Sequence, residues 1–142
     1  MRALRIMAID YGDAHTGVAL SDPTGLLAGT ATTIHSRKEA EVLEQLVQMI
    51  RENQVDELVM GFPRNMDGTE GPRAELYRSF AQKLEEASGM PVKLWDERRT
   101  TVDAHRILQE SGKNAKKRKK TVDAVAASLI LEGYLNFKRL RG

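Results

Sequence analysis

LRIMAIDYGDAHTGVALSDPTGLLAGTATT, residues 4–33, is the stretch that decides the architecture. Leu4 to Asp10 is apolar and rich in β-formers, and it runs into the turn residues Gly12 and Asp13. Gly17 to Asp22 reads as a second strand. The Asp22-Pro23-Thr24-Gly25 turn then leads into a third strand, Leu26 to Thr33. Three short strands joined by tight turns predict an antiparallel meander.

Beyond residue 33 the period changes. Ser36 followed by Glu39 is a capping-box signature, and Val42, Leu43, Leu46, Val47 and Ile50 recur at helical spacing, predicting a helix over 37–53. Glu57 to Phe62 reads as a buried strand, followed by a polar loop to Gly71. Pro72 suits a helix start, and Leu76, Phe80 and Leu84 stripe a second helix that Gly89 closes. Val92 to Asp96 is a fifth strand. Thr100 can cap a third helix from Thr101 to Glu110, a basic loop covers 112–120, and the last helix runs from about Thr121 to Asn136. Strands alternating with helices imply parallel neighbours and right-handed crossovers. The expectation is a single α/β domain over 1–142: a five-stranded mixed sheet with helices on both faces.

Composition narrows the function classes. The chain has 142 residues, 41% of them hydrophobic and 30% charged, a globular balance. No apolar run approaches the ~20 residues of a membrane span, so no membrane is expected. The N-terminus lacks the apolar core and cleavage site of a secretory signal, which makes the cytoplasm the expected location. With no cysteine, disulfides and thiolate metal sites are excluded. The net charge of +2 hides an asymmetry: residues 1–112 hold 13 Lys/Arg against 18 Asp/Glu, whereas residues 113–142 hold 9 against 2. A mildly acidic body with a basic C-terminal portion points to a polyanionic partner.

Asp10 stands at the C-terminal end of the first strand, the edge where α/β sheets collect ligands. A carboxylate on a buried strand is costly unless it is paired or metal-bound; the plainer alternative is an aspartate capping the turn to Gly12. Asp96 and Glu97 end the fifth strand at the same edge, and alternation sends them to opposite faces, so only one can join Asp10. Asp123, near the start of the last helix, has the small neighbours Ala124, Ala126, Ala127 and Ser128, as expected where a helix packs closely on a sheet. Its structural alternative is an aspartate favoured by the helix dipole. Three carboxylates and no sulfur suit Mg²⁺ or Mn²⁺, and two such ions can serve phosphodiester hydrolysis. Asp10 is expected to contact both ions and Asp123 one of them, and the acid after the fifth strand, Asp96 or Glu97, to complete the shell or orient water.

The run KNAKKRKK, Lys113 to Lys120, has six cations immediately before Asp123. Lys116, Lys117, Arg118, Lys119 and Lys120 are expected to hold nucleic-acid backbone without reading bases, on a loop that self-repulsion keeps mobile. Arg98 and Arg99 with the helix start at Thr100 and Thr101 offer a further phosphate contact. His15, His35 and His105 show no ligand spacing, and Trp95 reads as core or cleft lining.

Four segments together resemble the YqgF family, also called RuvX-like: DYGDAHTGVALSD at 10–22, GFPRNMDGTEGPRAE at 61–75, DERRTT at 96–101, and the basic run leading into VDAVAASLIL at 122–131. They span nearly the whole chain, and the DER and NMDG segments are the more specific. The resemblance implies an RNase H-like fold with strand order 3-2-1-4-5. It carries the catalytic, metal-binding carboxylates onto Asp10, Glu97 and Asp123, choosing Glu97 over Asp96. It further implies maturation of the 5′ end of pre-16S ribosomal RNA in a bacterial cytoplasm; a preribosomal particle is an expected partner, and a monomer or a homodimer is expected. Resolution of Holliday junctions, with branched DNA as partner, is the alternative within the family. His15 is a departure, because relatives usually carry a basic residue there.

Two readings of other classes remain. DxGxxxxG also resembles the phosphate loop of actin-like and sugar-kinase folds, but the chain has room for only one of their two halves. A non-catalytic RNA- or ribosome-binding protein would need only the basic run; three carboxylates beside bound RNA argue against it, since they repel phosphate unless metal intervenes.

Overall fold

The computed structural model describes residues 4–22, 28–62, 71–96 and 115–141, with Ala28, 115–123 and 139–141 described by backbone alone. The element order is β1 (Ile6–Asp10), β2 (His15–Ser21), β3 (Ala28–His35), α1 (Glu39–Glu52), β4 (Glu57–Phe62), α2 (Pro72–Ser88), β5 (Val92–Asp96) and α3 (Ala115–Arg141). The five strands form one sheet in the order β3-β2-β1-β4-β5. β1 pairs antiparallel with β2 and β2 with β3, giving the expected meander. β1 and β4 are parallel, as are β4 and β5, because each crossover passes through a helix.

Strand alternation divides the core in two. Met7, Ile9, Val18, Leu20, Leu58, Met60, Phe62 and Val92 face α1 and α2, meeting Val42, Leu46, Ile50, Tyr77, Phe80 and Leu84. Ile6, Ala8, Ala19, Val59 and Trp95 face α3, meeting Ala127, Ile130, Leu131, Tyr134 and Leu135. Helices therefore cover both faces. On β1 both sets are buried, which is why Ile6 to Ile9 reads as a continuous apolar run rather than an alternating one.

Element ends differ from the sequence reading in instructive ways. β2 starts two residues early and β3 continues to His35, because His15 and His35 pair as the end of their ladder. The capping box does not form. Lys38 is the N-cap of α1, while Ser36 Oγ accepts from the Lys38 N–H at 3.1 Å and donates to Glu41 at 2.6 Å. Glu39, freed from the cap, reaches across to Lys83 on α2 at 2.5 Å. Ser36 is two residues too early to cap and forms a local turn instead. α3 begins at Ala115, so the backbone of 115–120, expected in the basic loop, is helical. Alanine, lysine and arginine are strong helix formers, and no glycine or proline interrupts them. The expected helix 101–110 and the NMDG loop lie outside the described residues.

Candidate active site

Asp10 ends β1 on the α3 face, in the alternation set by Ile6 and Ala8, and it is partly buried. Its partner on β2 is Gly17. One step beyond the Ile9–Met60 pair, its neighbour on β4 is Gly61. Glycine has no side chain, so neither adjacent strand sets one beside the carboxylate. The next residue along this row, opposite Gly61, is Trp95 on β5. Glycines within strands often mark places where a ligand or another backbone comes close.

The segment after Asp10 is fixed from the opposite face. The Tyr11 ring stacks on Phe80 with centroids 3.9 Å apart and meets Tyr77 edge-on at 5.6 Å. The Tyr77 hydroxyl donates to the Tyr11 carbonyl at 2.7 Å. Burial pushes the Tyr11 phenol above its usual pKa, and the nearby Glu39 and Asp13 add to that. The turn that follows is tight: a Cβ on Gly12 would stand 2.4 Å from the His15 carbonyl oxygen. Asp10 is thus held between a pinned tyrosine and the hydrogen-bonded ladder of β1.

β5 distributes its end residues by the same register. Phe62, which faces α1 and α2, pairs with Asp96, whereas Gly61, on the Asp10 row, pairs with Trp95. Asp96 therefore belongs to the face away from Asp10. Glu97, Arg98, Arg99, Thr100 and Thr101 lie outside the described residues. Asp123 and Lys116, Lys117, Arg118, Lys119 and Lys120 are in α3 by backbone, and their side chains are outside the description. Among the described residues, no group of three His, Asp or Glu is placed to hold a metal.

A second carboxylate marks the other end of the sheet. Glu57, at the start of β4, accepts from Lys93 and Lys138, each at 2.6 Å, and from the Tyr134 hydroxyl. Burial pushes the Glu57 carboxyl up, but hydrogen bonds from Lys138, Lys93 and Tyr134 outweigh it and bring the pKa down to about 2. The bond to Glu57 raises Lys93, and burial, followed by Glu57, raises Tyr134. This network ties α3 to the sheet, and Gly133 lets the helix approach Trp95, since a Cβ there would lie 3.1 Å from the indole.

The sequence missed one pairing. His15 and His35, twenty residues apart in the chain, face each other across β2 and β3 with ring centroids 5.0 Å apart. Only strand register brings them together, so no sequence spacing announces it.

A sheet of order 3-2-1-4-5, with a carboxylate at the end of its central strand and a long helix across that face, is the RNase H-like architecture. The comparisons agree with that class. The family described as RuvX, Holliday junction resolvase, matches residues 4–137, and the chain belongs to it. A relative from Halothermothrix orenii, named "Putative pre-16S rRNA nuclease", is 47% identical over 135 residues, covering 95% of this chain and 96% of that one. A relative of the same name from Carboxydothermus hydrogenoformans is 44% identical, over 95% of this chain and 98% of that one. Among solved structures, Thermus thermophilus RuvC in complex with a Holliday junction substrate superposes with a TM-score of 0.60 at 9% identity, covering 95% of this chain and 96% of that chain. At that identity the likeness concerns the fold. The chain is accordingly a hydrolase of the phosphodiester-cleaving class.

Proposed function

We propose that this nuclease matures the 5′ end of pre-16S ribosomal RNA, using divalent metal held by Asp10, Glu97 and Asp123. The observation that carries the site is the setting of Asp10: a partly buried carboxylate at the ligand-gathering edge, with glycine on both neighbouring strands. Register supports Glu97 as the second carboxylate, since Asp96 has the parity of Phe62 and Val92 on the far face. The course of α3 supports Asp123. Tyr134 and Lys138 anchor the C-terminal half of the helix at the start of β4, and Asp123 precedes Tyr134 by about three turns, roughly 16 Å. About four strand residues, roughly 13 Å, separate the Glu57 end from the Asp10 row, a comparable span.

An oxygen-only donor set of carboxylates fits Mg²⁺ or Mn²⁺, ions that prefer hard ligands. Bound there, two ions would supply an activated water and stabilise the leaving oxygen. The chain's own contribution is placement. Asp10 is fixed by its ladder and by the pinned Tyr11, Lys116 to Lys120 and Arg98 to Thr101 hold the phosphate backbone, and RNA reaches the site by charge attraction. The ribosomal substrate rests on the name of relatives at 47% and 44% identity. The cytoplasm and a preribosomal particle follow from that substrate, and no helix among the described residues is long and apolar enough to cross a membrane.

The family description favours a second reading, cleavage of a Holliday junction. Purified protein incubated with labelled precursor 16S RNA and, separately, with a four-way junction separates the two, with and without Mg²⁺ or Mn²⁺. Metal-dependent RNA cleavage that Asp10→Asn abolishes is the expected result. Cleavage of the junction alone would replace the ribosomal substrate with branched DNA. Cleavage undiminished in Asp10→Asn would remove the proposed centre, and tight binding without cleavage of either substrate would favour a non-catalytic RNA-binding role.

A further inference from the structure

We propose that His15 and His35 form a binding site for a borderline-soft divalent cation, Zn²⁺ or Ni²⁺, separate from the carboxylate centre. The two residues are directly opposed on antiparallel strands, the arrangement that brings side chains closest across a ladder. Their ring centroids are 5.0 Å apart. A tetrahedral ion at about 2.0–2.1 Å from one nitrogen of each imidazole requires centroids roughly 5 Å apart, so the spacing already fits. The rings meet at 89°, edge to face, and one must turn about its terminal torsion for both lone pairs to converge. His35 is exposed and has room to do so. Among the described residues, no side chain hydrogen-bonds or ion-pairs with either ring.

The donor chemistry separates this site from the one at Asp10. Two neutral nitrogens suit Zn²⁺, Ni²⁺ and Cu²⁺, whereas carboxylate oxygens suit Mg²⁺ and Mn²⁺. Water fills the remaining positions. The location adds a consequence. His15 has the parity of Gly17 and Ala19 on β2, so it lies on the α3 face, about two strand residues or roughly 7 Å from the partner of Asp10. A bound cation would sit on the same face and at the same edge as that carboxylate.

Calorimetric titration of untagged protein with Zn²⁺, in a large excess of Mg²⁺, tests this without reference to nuclease activity. Saturable one-to-one binding in the micromolar range is expected. It should weaken at least about tenfold, roughly 1.4 kcal/mol, in His15→Ala and again in His35→Ala, and persist in His105→Ala. The zinc-induced shifts should appear in the imidazole resonances of His15 and His35 in the wild type. Absence of saturable binding, binding that Mg²⁺ abolishes, or binding that both His15→Ala and His35→Ala leave intact would overturn the proposal.

Discussion

The two ends of the sheet each hold a carboxylate on the α3 side, and they treat it in opposite ways. At the start of β4, Glu57 is gripped by two lysines and a tyrosine hydroxyl, all from elements it helps to join. At the end of β1, Asp10 has Gly17 and Gly61 for strand neighbours, and its rigidity comes from behind, through Tyr11, Tyr77 and Phe80. A carboxylate saturated by cationic donors has little capacity left for a ligand. The strands on either side of Asp10 set no side chain beside it. The acid is the same chemistry at both ends; the neighbours separate a structural clamp from the proposed reactive edge.

The largest expected effect comes from breaking the proposed reactive end alone. Asp10→Asn should reduce cleavage at least about 100-fold, a scale that even supporting residues of metal sites reach. Its melting temperature should stay near that of the wild type, and a large drop would mean that Asp10 belongs with Glu57 as a structural group. Gly12→Ala attacks the same end through the backbone. The added Cβ meets a carbonyl oxygen at 2.4 Å, so the turn must move, costing about 1–3 kcal/mol by overpacking. Thermal unfolding should register that loss, and cleavage should fall with it as Asp10 shifts.

The clamp end should respond in stability and leave cleavage per folded molecule unchanged. Glu57→Gln is expected to cost about 1.5–3 kcal/mol, the range for hydrogen bonds involving charged groups. Its pH dependence is diagnostic. The folded-state pKa of Glu57 is depressed from the ordinary 4.5 to about 2, so its contribution is present in full above 4.5 and drains away as pH falls toward 2. Denaturant melts across that window should show the wild type converging on Glu57→Gln at the acid end. Tyr134→Phe removes one donor and leaves both lysines in place, so about 0.5–1.5 kcal/mol is expected. A loss of activity in Tyr134→Phe beyond its loss of folded protein would contradict the division between the two ends.

Much of this was legible in the chain itself. The extents of β4, α2 and β5 follow from apolar runs bounded by Pro63, Pro72 and Gly89, because those residues act on their own local backbone. Asp10 stood out for the same local reason: an acid at the end of a buried strand. The capping box at Ser36 failed because a cap depends on where the first helical turn starts, and packing of α1 set that start at Lys38. Repulsion among the lysines predicts a loop up to residue 120, but their intrinsic helix propensity carries the start of α3 back to Ala115.

What the sequence determined by itself, then, is the order and type of the described elements and which acids it offers for a site, since periodicity, turn residues and side-chain chemistry are carried by short stretches. What only the tertiary structure decided is adjacency. Glycine on both sides of Asp10, Asp96 on the far face, Glu57 beneath Tyr134, and His35 opposite His15 all follow from strand register and helix docking. Those are fixed by burial of both sheet faces together, a property no single stretch of the chain contains.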